Sequence, residues 1–277
     1  MFQPVRKGLS LVEVLVIIAL IAILIALFIP AFCRVHYANT GIQCRNNLKQ
    51  VMMAVHQYES TGQTLTEPLV GASDAPTVKS FLFPTGCVGP DGPPEERLSW
   101  VVAVLPYLDR ELLYRQFDLK AGYAGNQSAA RNGIKTYLCP EAYRPLTDTT
   151  THYVAIAGLG ADAASRPAGA EGNGFMGYDR QTSRATIRDG LSNTIALMET
   201  RSNLGPWARG GISTLRGFDP NDAPWLGDGR PFGRHFGGGA SMAMADGSVR
   251  VLHSGTDPQA VIAAITIAGG EQPGWLD

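Results

Sequence analysis

A single carboxylate, Glu13, stands in a run from Leu9 to Phe32 that is otherwise uncharged and built mostly of Leu, Ile, Val, Ala and Phe. At full depth in lipid such a group costs roughly 2.5–3.5 kcal/mol, less near the interface, so Glu13 needs a partner or a function. Farther along, His235, Asp246 and Glu199 are side chains that could share a proton or a metal ion if strands bring them together. Asp219, Asn221, Asp222 and Asp228 form the most acidic loop, and calcium takes about six to eight hard oxygens. Ala223, however, stands where an EF-hand loop wants Asp or Asn. Four cysteines, Cys33, Cys44, Cys87 and Cys139, permit up to two disulfides in an exported chain. Spacing leaves the pairing of Cys44, Cys87 and Cys139 open, Cys33 sits close enough to the apolar run to stay free, and no zinc pattern is present.

Walker A, HExxH and G-x-S-x-G motifs are absent. The plainer reading therefore gives Asp246 to a turn and His235 to a loop hydrogen bond. It leaves no catalytic residue, no enzyme activity and no cofactor, with calcium at the acidic loop as the one exception to test. With 23 basic and 24 acidic residues the charge is nearly balanced, so no basic stripe points to nucleic acid.

These residues must be held by helices and strands that the apolar pattern locates. Leu9 to Phe32 is long enough for a bilayer core of roughly 30 Å at about 1.5 Å per residue. Arg6 and Lys7 precede it without an acid, which keeps the N-terminus cytoplasmic and exports the bulk of the chain. A secretory signal would have a shorter apolar region and a small-x-small cleavage site, and Ala31-Phe32-Cys33 is a poor one. From Tyr37 to Tyr58, Gly41, Cys44, Leu48, Val51, Val55 and Tyr58 recur at threes and fours. That stripe predicts an amphipathic helix with Cys44 on its buried face and His56 at its surface or boundary.

Lys7-Gly8 followed by Leu9-Ser10-Leu11-Val12-Glu13 resembles the signal of type IV prepilins and pseudopilins. The resemblance implies cutting after Gly8 by prepilin peptidase, methylation of the new N-terminal Leu9, and Glu13 as the fifth mature residue. There its carboxylate would pair with the N-terminal amine of a neighbouring subunit. Pro30 falls where that family has a helix-bending proline, which would kink or locally melt the helix.

The rest of the chain is rich in Gly and Pro, 32 and 18 residues, as a head of strands and turns would be. Ser99 is placed to cap a helix that Pro106 interrupts, and Trp100 reads as a core anchor. Ile134 to Leu138, Tyr153 to Ala157 and Thr194 to Met198 read as strands. Gly205 to Gly233 reads as a long loop packed by Trp207, Phe218 and Trp225. Ala240 to Ala245 and Ser248 to Leu252 flank Asp246-Gly247, which predicts a type I′ hairpin with both central residues at positive φ.

Cys44-Arg45-Asn46-Asn47-Leu48-Lys49-Gln50, Leu105-Pro106-Tyr107-Leu108, Leu138-Cys139-Pro140, Asp189-Gly190-Leu191-Ser192-Asn193-Thr194 and Gly269-Gly270-Glu271 resemble a bacterial family of pilin-like proteins, domain of unknown function 1559. Its C-terminal mark is a His before Asp-Gly, at a spacing one residue shorter than here, where ten residues, Phe236 to Ala245, separate His235 from Asp246-Gly247.

The expected architecture is α+β and type IV pilin-like, a long N-terminal helix packed on an antiparallel sheet. Residues 1–8 would be the leader, 9–60 the transmembrane and amphipathic helix, and 61–277 the extracytoplasmic head. The expected role is a pilin-like or pseudopilin-like structural subunit of a surface filament or secretion pseudopilus. Its partners would be prepilin peptidase, the bacterial inner membrane, crossed once with the N-terminus cytoplasmic, and further subunits of the same kind. The competing expectation is a membrane-anchored extracytoplasmic binding or enzymatic domain that uses the helix only as an anchor.

Overall fold

The computed structural model of the chain describes residues 11–61, 63–64, 79–140, 149–227, 229–233 and 239–270, for 27–39, 63–64 and 79–80 by backbone alone. Two compact units divide at Ile42 and Gln43. Helix α1, Leu11–Ser60, begins in the first. The apolar side chains of residues 11–26 are all solvent-exposed, with Leu11 at 77% and Val14 at 41% among them. Glu13 lies in the first turn, where the helix macrodipole favours a negative charge. Helical backbone continues through Pro30, so the chain is not melted at that residue. Among the described residues no helix is long and apolar enough to cross a membrane. The apolar side chains described, 11–26, reach roughly 24 Å at about 1.5 Å per residue, short of a bilayer core of roughly 30 Å.

In the second unit the spacing of apolar residues on α1 does what the sequence predicts. Cys44, Leu48, Val51, Met52 and Val55 are fully buried, while Lys49, Gln50 and Met53 face solvent. Two short ladders follow, β1 (Gln63–Thr64) with β2 (Lys79–Ser80) and β3 (Cys87–Val88) with β4 (Leu98–Ser99). Helical turns α2 (Trp100–Ala103), α3 (Glu111–Tyr114) and α4 (Gln127–Ala130) come next. Pro106 breaks the helix as expected, and Leu105–Leu108 forms a 3-10 turn. Ser99 stands at the N-cap of α2 but spends its hydroxyl elsewhere, donating to Trp207 O at 2.5 Å. Trp100 is wholly buried, its indole N–H on Thr214 O at 2.9 Å.

The main sheet has the order β7-β5-β6-β8-β9, formed by β5 (Tyr153–Leu159), β6 (Ile195–Glu199), β7 (Leu215–Phe218), β8 (Gly239–Met244) and β9 (Val249–His253). It is mixed rather than antiparallel throughout, because β7 runs parallel to β5. The strand period of two sends alternate residues to two cores. Tyr153, Ala155, Ala157 and Leu197 join Leu48, Val51 and Val55 of α1 on one face. On the other, Val154, Ile156, Met198, Met242 and Met244 join Val261, Ala264 and Ile265 of α5 (Pro258–Ile265). Both faces are thus covered, which is why these strands are apolar nearly without alternation.

Three sequence expectations are corrected. Lys135–Tyr137 is a 3-10 turn and not a strand; Tyr137 is drawn into the core, where its ring lies 6.1 Å from that of Trp207. The stretch expected as one loop, Gly205 to Gly233, contains β7, although its aromatics do pack it: Phe218 stacks on Phe232 at 4.2 Å and meets Trp225 edge-on at 5.5 Å. The Asp246-Gly247 turn is not type I′. Gly247 N donates to Met244 O at 2.9 Å, Met244 N donates to Ser248 O at 2.8 Å, and only Gly247 has positive φ, +89°. This is the three-residue hairpin loop, a type I turn closed by a left-handed glycine, whose twist also suits the sheet.

Candidate functional site

The residues that the sequence marks out come together in two clasps. In the first, α1 presents Cys44 and Asn47 to the segment that ends at Cys139. Cys44 and Cys139 form a disulfide with Cα atoms 5.1 Å apart, and Asn47 Nδ2 donates to Leu138 O at 3.1 Å. Strand β5 closes on the same place, because Tyr153 Oη donates to Cys44 O at 3.1 Å. His152, fully buried just before β5, accepts the Cys139 N–H on Nδ1 at 3.2 Å. Glu199, at the end of β6 and paired in register with Tyr153, is also fully buried. A carboxylate oxygen of Glu199 and the two sulfurs lie within 4.8 Å of one another. Among the described residues this is the one group of three metal-capable side chains so close together.

The second clasp gathers the Asp189–Thr194 segment, the hairpin loop and the C-terminal glycines. Both oxygens of Asp189 accept backbone N–H groups, Oδ2 from Gly269 and Oδ1 from Gly270, each at 2.8 Å. Asp246 N donates to Leu191 O at 3.0 Å and Ala245 N to Thr194 O at 2.8 Å. The Asp246 side chain accepts from Ser248 N at 2.8 Å, so it shapes the turn. Against this loop lies α1: Lys49, Met53, His56 and Gln57 line an open cleft of roughly 490 Å³ with Asp246, Gly247 and Ser248. Arg184 NH2 meets His56 Nδ1 at 3.0 Å. Burial, and then that guanidinium, hold His56 below its ordinary imidazole value, with Glu59 and Asp246 opposing.

Glu199 and Asp246 are not brought together as an acid/base pair. Ser241 N approaches Glu199 Oε2 at 3.4 Å, whereas Asp246 is beyond the other end of β8, about 16 Å away along the strand at roughly 3.3 Å per residue. Cys87 is also corrected. It is a buried free thiol, 4.0 Å from Pro94 O, because the two cysteines that could have paired with it hold each other. Burial pushes its pKa up to about 11, so it is protonated and unreactive at neutral pH. In the acidic loop Asp219 accepts from Asn221 N at 2.9 Å and from Asn221 Nδ2 at 3.2 Å, capping the turn Pro220–Asp222. Asp222 faces Arg230 at 3.9 Å. Gly8, Leu9, Asp228 and His235 lie outside the described residues, as do the side chains of Pro30 and Cys33.

Sequence reasoning missed two buried arginines that organise the loops around the sheet. Arg180 donates to the carbonyls of Ala163, Arg166, Ala157, Gly174 and Met176 and to Asn173 Oδ1. Arg216 reaches Ile212 O, Ser202 O, Pro231 O and Asn203 O, with its guanidinium 6.0 Å from the Phe232 ring centre. A charged residue in a loop reads as solvent-facing, and the only hint was the surrounding density of glycine and aromatic residues.

Every motif quoted for the family resemblance and described here is used to fasten one segment to another. Tyr107 of the Leu105–Leu108 turn completes the set, its hydroxyl 3.0 Å from Thr61 Oγ1 and its ring edge-on to Tyr58 of α1. A search of curated proteins and one of solved structures each gave no match. A family model does match, over residues 42–217, and with most of the chain covered the protein belongs to the family described as protein of unknown function (DUF1559).

Proposed function

We propose that the chain is a pilin-like or pseudopilin-like structural subunit, made as an inner-membrane precursor, cut after Gly8 and assembled through its N-terminal helix. The observation that carries this reading is the unbroken exposure of the apolar side chains of α1 between Leu11 and Ala26, with Glu13 as the one charge among them. Each large apolar side chain taken out of water gains roughly 1.5–3 kcal/mol, so such a surface is best used by covering it with lipid and then with like helices. The Gly8-to-Glu13 spacing supplies the processing step in this account. The two clasps supply a head fastened to α1, and their polar groups serve folding, so the subunit's work is assembly and not catalysis.

Glu13→Leu tests the role. In cells that make wild-type and variant in equal amounts, crosslinking through single cysteines placed on α1 should report subunit contacts for wild-type and lose them for the variant. An anchor for a binding or enzymatic head has no use for this carboxylate, and unchanged crosslinking in Glu13→Leu would favour that role.

A further inference from the structure

We propose that the Cys44–Cys139–Glu199 cluster is a binding site for a thiophilic divalent cation, zinc being the fitting ion, that takes the place of the disulfide when the chain is reduced. The inference stands apart from the assembly reading. Two sulfurs and a carboxylate oxygen already lie within 4.8 Å of one another on three separate elements, α1, the segment after Tyr137 and the end of β6. Zinc binds thiolate at about 2.3 Å and carboxylate at about 2.0–2.2 Å, and a tetrahedron of those lengths sets its ligand atoms about 3.5–3.8 Å apart. Once the bond is reduced, the sulfurs part and the Glu199 oxygen closes in, movements of about an ångström, with the second Glu199 oxygen or a water in the fourth position.

Glu199 is fully buried, so its carboxylate is held beside the two sulfurs and away from bulk water. Ser241 N–H points at its Oε2, and His152 accepts the Cys139 N–H and so holds that backbone in place without being a ligand. The Cys44–Cys139 bond accepts two electrons and two protons from a dithiol, which leaves as its own disulfide, and the cation then displaces the two thiol protons. The link between α1 and the rest of its unit would survive a change from oxidising to reducing surroundings, because the metal bridges the same two residues.

The test uses the full chain with Cys33→Ser, reduced by a phosphine because a dithiol would itself hold zinc. After equilibration with zinc sulfate and desalting, one zinc ion per chain is expected, and none in the oxidised chain. Cys44→Ser and Cys139→Ser should abolish retention, Glu199→Gln should weaken it tenfold or more, and Cys87→Ser should change nothing. Cobalt(II) in place of zinc should give thiolate charge-transfer absorption and tetrahedral visible bands. If reduction unfolds the chain, zinc should restore its near-ultraviolet circular dichroism. Failure of the reduced chain to retain zinc, wild-type affinity in Glu199→Gln, or retention lost in Cys87→Ser would overturn the proposal.

Discussion

Arg184 holds the buried carboxylate of Glu59 through two N–H···O bonds, Nε to Oε1 at 2.8 Å and NH2 to Oε2 at 2.9 Å. Glu59 sits in the last turn of α1 with its side chain 5% exposed, while Arg184 opens the turn Arg184–Thr186 and is half exposed. The bidentate pair therefore pins the end of α1 to a loop far away in sequence, and it does so at the edge of the core, where screening is incomplete. Arg184→Ala is expected to lower stability by about 1.5–3 kcal/mol, the range for hydrogen bonds to a charged group, because it leaves the Glu59 carboxylate buried without this partner. The urea midpoint of the variant measures it, and Arg184→Lys should fall between the two.

The same arginine touches His56, and this gives the fold a pH dependence of defined sign. Burial and Arg184 lower the His56 value in the folded chain from 6.5, so the unfolded chain binds the proton first. Stability contributed by neutral His56 is present above pH 6.5 and is lost as pH falls through 6.5 toward the folded value. Urea midpoints across pH 5 to 8 should decline on the acid side for wild-type, and His56→Gln should flatten the part of that decline nearest the upper end.

The Cys44–Cys139 bond closes a separation of 95 residues. Opening it is expected to cost about 2–5 kcal/mol in the absence of metal. Cys44→Ser and Cys139→Ser should each lower the melting temperature, and the double variant should fall no further than the worse single one, since either change removes the same bond. Additive losses would mean that the sulfurs act separately.

Arg180 carries the loop that crosses β5, and burial, followed by the nearby Arg166, brings it down to about 10, still charged at neutral pH. Arg180→Met keeps the length of the side chain and removes every donor. It should cost at least about 2–3 kcal/mol, because several buried carbonyls lose their partner at once. Limited proteolysis should then cut first between 158 and 177.

What the sequence made legible was periodic. Cys44, Leu48, Val51 and Val55 recur at helical spacing and are the buried stripe of α1, and the apolar runs at Tyr153 and Ile195 are central strands. What it hid depended on partners distant in the chain. Nothing local in Leu215–Phe218 marks a strand, since its parallel pairing with β5 follows from the fold. Tyr137 looked like part of a strand because it stands in a short run between Ile134 and Leu138, yet its ring is buried in the core and the backbone forms a 3-10 turn. Asp246-Gly247 gave the hairpin but not its loop length, which is set by Ala245 N reaching Thr194 O and Asp246 N reaching Leu191 O. The disulfide partner of Cys44 was likewise open in the sequence, because three cysteines at unrelated spacings carry no pairing information.

The central claim is that the N-terminus is a processing and assembly device, and intact-mass analysis of the cell-made protein tests it most directly. A mature chain that begins at methylated Leu9 is the predicted result; a chain that keeps Met1 to Gly8 in cells with active prepilin peptidase would contradict it.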